Sequence, residues 1–253
     1  HSFDFKDNDV NFKANAFQPS QDRPWVDRVK EYAGTRHHYL ECRNEELYDY
    51  LFEAVEARDL PCMADVESSM LYFCKKVAVH HKVTLTGECA DEIFGGYPWF
   101  HKQECFEADI FPWSMDFGPR TMLLKDEVLN ELPVREYALE AYRRTLAETP
   151  ALEGEGGEEK RRREISYLNL RWFMQTLLDR MDRTSMHVGL EARVPFADHR
   201  IIEYAWNVPW DMKYRDGVVK ALLRAAGKEH LPEEVLYRRK SPYPKTYDPA
   251  YEQ

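Results

Sequence analysis

The 253-residue, 30.0 kDa chain is 43% hydrophobic and 13% aromatic, which allows a sizeable core and excludes a largely disordered chain. Its 35 Lys and Arg against 45 Asp and Glu leave a net charge of −10, so long-range electrostatics repel nucleic acid and anionic lipid, and an anionic ligand has to be met by local groups. No apolar run approaches the roughly 20 residues of a membrane helix; the five cysteines form no C-x-x-C pair and the nine histidines no H-E-x-x-H, which argues against a zinc ribbon, a disulfide scaffold and the common zinc hydrolases.

In chain order, Phe3 to Phe5 has the aromatic content of a short strand, Trp25 to Tyr32 a helical pattern, and Thr35 to Leu40 strand content again. Glu45 to Glu56 and Asp65 to Val79 read as helices, and Val83 to Thr86 as a strand lying between helical patterns. Strands separated by helices predict a parallel sheet, hence an α/β part over residues 1–102. Residues 103–253 read as almost wholly helical. Val134 to Ala147 carries apolar or aromatic residues at 134, 137, 138, 141 and 142, and Glu158 to Met181 repeats that period through Ile165, Leu168, Trp172, Leu177 and Met181. Between them, Glu153-Gly-Glu-Gly-Gly-Glu-Glu159 predicts a mobile surface loop, and Lys160-Arg-Arg-Arg163 a solvated helix start.

The segment Val83-Thr-Leu-Thr-Gly-Glu-Cys-Ala-Asp-Glu-Ile-Phe-Gly-Gly-Tyr97 concentrates the chemistry. It reads as a strand passing through Gly87 into a helix, and the crevice at the carboxyl ends of parallel strands is where ligands bind. Glu88 and Asp91 are three apart, which in a helix places their carboxylates on one face of the first turn. Such a pair can hold Mg²⁺ or orient and deprotonate a nucleophile, or it can merely complement the helix dipole.

Thr86-Gly-Glu-Cys-Ala-Asp-Glu-Ile-Phe-Gly-Gly-Tyr97 resembles the S-G-E-G-x-D-E-x-F-G-G-Y signature of the asparagine synthetases, with two departures, Thr86 and Cys89, over twelve positions. Leu178-Asp-Arg-Met-Asp-Arg-Thr-Ser-Met186 is similar to that family's L-x-R-x-D-x-x-S-M stretch, and Gly189-Leu-Glu-Ala-Arg-Val-Pro-Phe-Ala-Asp-His199 to its L-E-x-R-x-P-F-L-D-H stretch. Gly217 to Arg224 and Leu231 to Arg238 continue the likeness. It implies an adenine-nucleotide alpha-hydrolase-like parallel sheet, incomplete at its N-terminal end and followed by a mostly α-helical part. It also implies a cytoplasmic, ATP- and Mg²⁺-dependent ligase that adenylates the side-chain carboxylate of aspartate, releases pyrophosphate and lets ammonia displace AMP to give asparagine. In that family a separate N-terminal glutaminase domain supplies the ammonia.

Carried over position by position, the resemblance puts the acid that activates ammonia or holds the intermediate on Glu88 and the Mg²⁺ carboxylate on Asp91. Thr86 and Gly87 match strand-end positions that touch the nucleotide, and Phe5 lies where the second strand meets adenine. Lys220 matches the lysine on the reacting phosphates, a role that charge alone also favours, since adenylation spreads negative charge that a positioned ammonium can neutralise. Asp182, Arg183, Glu191 and Arg193 read as structural ion pairs, Cys89 as a small packing residue, and His37 and His38 as packing. Neither the family's S-G-G-x-D-S pyrophosphate loop nor the glutaminase domain is found here: none of the eight serines is followed by Gly-Gly, and the first residue is His1. The chain therefore reads as part of a longer one, its sheet missing a strand between those containing Phe3 and Val83, and so unstable and inactive alone. Related adenylating enzymes of β-lactam synthetase or lasso-peptide cyclase type, or a noncatalytic scaffold, are the competing readings; Glu88 favours aspartate and ammonia. A homodimer is a possible assembly, and no nucleic-acid or membrane partner is expected.

Overall fold

The computed structural model describes residues 1–15, 18–244 and 246–248. In it, β1 (Ser2–Phe5) and β2 (Tyr39–Cys42) pair in parallel, Ser2 opposite Tyr39 and Phe5 opposite Cys42. The two-residue period of a strand sends Phe3 and Phe5 to the same face, where they are buried with Cys42, Leu47 and Tyr72. A parallel pair needs a crossover, and the helix Arg23–Ala33 supplies it, with Pro24 in its first turn and Gly34 leaving it at φ 60. β2 starts later than the strand expected over Thr35 to Leu40. Thr35 N still bonds Lys30 O, so the residues after Gly34 are used in leaving the helix and reaching the sheet.

A second parallel pair joins β3 (Val83–Leu85) to β4 (Glu191–Arg193), Val83 opposite Glu191. β4 is a short strand within the mostly helical second part. Its residues, Glu-Ala-Arg, have neither strand propensity nor alternation, so partner pairing alone makes it a strand. Among the described residues, β1–β2 and β3–β4 are separate two-stranded sheets. The helix Ala64–Ala78 serves both: Tyr72 packs into the Phe3–Phe5 cluster, while Met70, Cys74 and Val77 are buried with Leu190, against the half-buried Leu40, Met181 and Val188.

The chain forms two compact units, one of His1–Thr86, Leu178–Arg193 and Arg224–Gln253, the other of Gly87–Leu177 and Val194–Leu223. The expected division between residues 102 and 103 falls inside the second unit. That unit's core is Ile110, Phe111, Ala141, Tyr142 and Leu168, from the helices Val134–Ala147 and Gly157–Leu168 and the segment before them. A wide turn of π type, Asn169–Phe173, separates Gly157–Leu168 from the helix Met174–His187, so the helix expected through Met181 is interrupted.

The basic run is not a solvated helix start. Arg161 donates to Phe106 O (2.7 Å), Ala108 O (2.6 Å) and the Tyr142 hydroxyl (2.9 Å). Arg163 Nε lies 2.8 Å from both carboxylate oxygens of Glu155, the Glu and Arg side chains being only 9% and 14% exposed. Carbonyls left without partners at the end of a packed segment need donors, and Arg161 supplies them; Arg163 anchors the glycine-rich loop through Glu155.

Candidate active site

β3 ends at Leu85, and Thr86 continues the pairing by donating its N–H to Arg193 O (2.9 Å). Thr86 Oγ1 is buried with no hydrogen-bond partner among the described residues, an unusual state for a hydroxyl unless something else reaches it. At Gly87 an added Cβ would meet no atom within 4 Å. Packing within the protein therefore does not demand glycine there, and the missing side chain leaves space at the strand end.

The next turn departs from the expected one. Cys89 adopts φ 71, in the left-handed region, and the helix runs only over Ala90–Phe94. Glu88 thus lies before a left-handed turn instead of sharing the first helical turn with Asp91, because one residue of that sign breaks the helical path between them. Cys89 is buried; burial first, then the charges of Glu92 and Glu88, push its thiol up to about 12. A thiol so held stays protonated and is a packing group, not a nucleophile.

The Gly95-Gly96 pair has two separate causes. Gly95 ends the helix at φ 70, and a Cβ on it would stand 2.5 Å from Trp210 Cη2. Gly96 donates its N–H to Asp91 O (2.8 Å), and a Cβ on it would overlap Asp91 Oδ1. The second glycine thereby gives the Asp91 carboxylate its room. The neighbouring Glu92 is buried and accepts from the Tyr97 hydroxyl at 2.6 Å, and burial together with the Glu92 charge drives the Tyr97 phenol far up.

Lys220 reaches this helix from a hairpin, β5 (Tyr214–Arg215) and β6 (Val218–Val219). Its turn is Asp216-Gly217, both at positive φ (53 and 77), the arrangement that matches strand twist in two-residue hairpins. Tyr214 lies 4.5 Å from the His101 ring, and Trp210 5.5 Å from Phe100, so aromatic contacts tie the hairpin to the segment following the two glycines. Lys220 itself is at φ 56, just before the helix Ala221–Gly227, and its Nζ stands 2.9 Å from Asp91 Oδ1. The structure thus brings together Asp91 and Lys220, with Glu88 close in sequence, in the second unit.

Phe5 and Thr86 belong to the first unit. The Phe5 ring is 4.9 Å from Phe3 inside the core, so only its backbone faces the end of β1. Beyond the carboxyl ends of β1 and β2 is a cavity of about 250 Å³ lined by Lys6, Asn8, Arg43, Asn44 and Asp248, among others. None of these is flagged by motif, though their place directly after two parallel strands is a signal in itself. Of the charged residues read as structural pairs, Arg183 binds Asp179 (2.9 Å) and Asp59 (2.7 Å), and Arg193 binds Glu191 (2.8 Å). The Asp182 carbonyl accepts from Ser185 Oγ, and His37 packs on Tyr39 with Nε2 2.9 Å from Ser2 Oγ. No helix of the described residues is long and apolar enough to cross a membrane.

Residues 5–253 match the family model described as asparagine synthase. Over 251 residues the chain is 51% identical to "Asparagine synthetase [glutamine-hydrolyzing] 3" of Bacillus subtilis, covering 99% of this chain and 41% of the relative. It is 29% identical to "Asparagine synthetase [glutamine-hydrolyzing] 1" of the same organism over 72% of this chain and 34% of the relative, and 27% identical to the Rattus norvegicus enzyme over 85% and 30%. The chain thus spans about two-fifths or less of the length of these relatives. Signature, strand-end threonine and converging Asp91 and Lys220 agree with the match, and the chain belongs to the asparagine synthase family.

Proposed function

We propose that this chain is the synthetase part of an ATP-dependent, AMP-forming ligase that converts aspartate to asparagine through a β-aspartyl-adenylate, with glutamine-derived ammonia as nucleophile. The single observation carrying this reading is the 2.9 Å approach of Lys220 to Asp91, which joins two stretches of the family signature at one place. On this reading the two parallel pairs are parts of an adenine-nucleotide alpha-hydrolase-like sheet, the protein works in the cytoplasm, and a glutaminase domain is its partner.

The donor set suits Mg²⁺, a hard cation that takes one or two carboxylates and completes its shell with substrate phosphates and water. Asp91 would hold it, and the ion would neutralise phosphate charge. Lys220, whose backbone is fixed by the hairpin, places an ammonium where negative charge grows on the α-phosphate and the departing pyrophosphate. Thr86 Oγ1 offers a buried hydroxyl and Gly87 an open flank to the nucleotide, and the Phe5 backbone meets the base. Glu88, set before the left-handed turn, accepts a proton from attacking ammonia or steadies the activated aspartate.

The test uses a protein carrying this chain with the further length its relatives have. Glu88→Gln should lower ammonia-dependent asparagine formation by on the order of 10², the cost of one preorganised charged contact, while the far-ultraviolet circular dichroism is unchanged. Near-normal synthesis by this variant at saturating MgATP removes Glu88 from the mechanism.

A further inference from the structure

In the second unit, a cavity of about 40 Å³ is lined by Glu159, Arg162, Arg163, Trp206, Trp210 and Lys213, with Ser166 and Val208 completing it. Lys213 ends the short helix Trp210–Lys213 and is 7% exposed. Its ammonium makes no hydrogen bond or ion pair with another described residue, and the side chain lines the cavity. Burial first, and then the nearby Arg163 charge, push its pKa down to about 8, opposed by Glu159. A second donor also lacks an acceptor: Arg162 Nε–H is buried without one, a costly state for a polar group.

The acceptors nearby are already engaged. Glu155 holds Arg163, and Ser166 Oγ donates to Arg162 O. Glu158 and Glu159 bind the Arg162 terminal nitrogens at 2.8 and 2.7 Å, yet their side chains are 72% and 57% exposed, so water screens much of their charge. The lining therefore offers two unsatisfied cationic donors between two indoles. The volume is little more than the roughly 30 Å³ share of one water molecule, room for a small charged group and not for a nucleotide.

We propose that this cavity binds one small oxyanion, a carboxylate or a phosphate group, with Lys213 Nζ and Arg162 Nε as its donors and Trp206 and Trp210 as its walls. Such a group supplies both missing acceptors at once, and charge-assisted hydrogen bonds of this kind are the stronger ones. Binding holds Lys213 in its protonated form and so removes its reactivity as an amine. Its donors, Lys213 and Arg162, take no part in the Asp91–Lys220 site or in the activity proposed there, although Trp210 also packs against Gly95.

Acylation of Lys213 by an amine-reactive ester at pH 8, read by peptide mass spectrometry on the full chain, tests this directly. Sodium phosphate and sodium acetate are each compared with sodium chloride at equal ionic strength. An anion at about ten times its Kd should slow labelling of Lys213 on the order of tenfold by mass action, leaving the exposed Lys125 unaffected. Protection by phosphate alone identifies a phosphoryl ligand, and by acetate alone a carboxylate; protection by neither overturns the proposal. Lys213→Met, which fills the same space, should abolish the calorimetric heat of the protecting anion, and full retention of that heat would equally overturn it.

Discussion

Lys220 Nζ lies 2.9 Å from Asp91 Oδ1, and the two side chains are 21% and 19% exposed. One residue comes from a short helix behind a parallel strand, the other from the end of a two-residue hairpin. Each is a counter-ion of the other, so removing either takes an opposite charge from a mostly buried group. On the proposed function, Asp91 would turn from Lys220 to hold the cation, and Lys220 would meet the phosphates instead.

If the proposed function is right, Lys220→Ala should lower aspartate-dependent release of pyrophosphate by on the order of 10², because the charge assigned to it there develops before ammonia attacks. Rapid-quench measurement separates the steps. Adenylate forming at the normal rate and then accumulating would assign Lys220 to the amidation step instead. Lys220→Arg should restore only part of the activity, since the guanidinium is planar and more weakly hydrated.

Gly96→Ala should destabilise the protein by about 1–3 kcal/mol, the range for inserting a methyl group into a packed site, because its Cβ overlaps Asp91 Oδ1 and lies 3.1 Å from Asp91 Cα. Urea unfolding of the single variant and of Asp91→Ala/Gly96→Ala provides the check. The double variant should lose clearly less than the sum of the singles; strict additivity would show that the carboxylate does not occupy the space this glycine leaves.

Stability should fall as pH rises above about 9. Burial pushes the Cys42 and Cys89 thiols and the Tyr72 phenol up to about 12, and Tyr97 further still. The unfolded chain releases these protons first, at ordinary thiol and phenol values, so it binds fewer protons than the folded state and the slope of stability against pH is negative there. Lys213, whose pKa burial pushes down to about 8, works the other way, so urea midpoints are compared at pH 8 and 10.5 on the Lys213→Met protein, and equal midpoints there would contradict the burial of these groups. In the native protein at pH 8 an aromatic disulfide reagent should label Cys62 first, since the other four thiols are buried.

Glu155→Ala should cost about 3 kcal/mol, the low end for breaking one side of a buried ion pair, because it strips the fork from Arg163. A loss below 0.5 kcal/mol in urea unfolding, within the range of ordinary surface substitutions, would mean that the glycine-rich loop is not anchored there.

Where hydrophobic period was strong, sequence and structure agree: the helix expected over Val134 to Ala147 has those bounds, and Phe3 to Phe5 lies within β1. The signature contains Asp91 and the Gly217 to Arg224 stretch Lys220, but their 2.9 Å approach is not written in either stretch. What stayed hidden depends on partners distant in sequence or on single backbone angles. Nothing in Glu191-Ala-Arg193 marks a strand until β3 lies beside it, and nothing in Cys89 marks a left-handed residue. Arg161 and Arg163 look solvated because their acceptors, the Phe106 and Ala108 carbonyls and Glu155, carry no sequence pattern. One signal was available: Asp216-Gly217 between Tyr214-Arg215 and Val218-Val219 marks the hairpin that leads to Lys220.

The pairing of β3 with β4 has a consequence in time. Val83 finds its neighbour Glu191 only after roughly 100 further residues have been synthesised, which at about 5–20 residues per second takes roughly 5–20 s. Through that interval Val83 and Leu85, which remain largely exposed even in the finished structure, sit on an unpaired strand while the intervening chain, most of the second unit, emerges and folds. The nascent chain is therefore most open to strand-to-strand association with other copies before β4 appears, and slowed elongation between residues 86 and 190 lengthens that window.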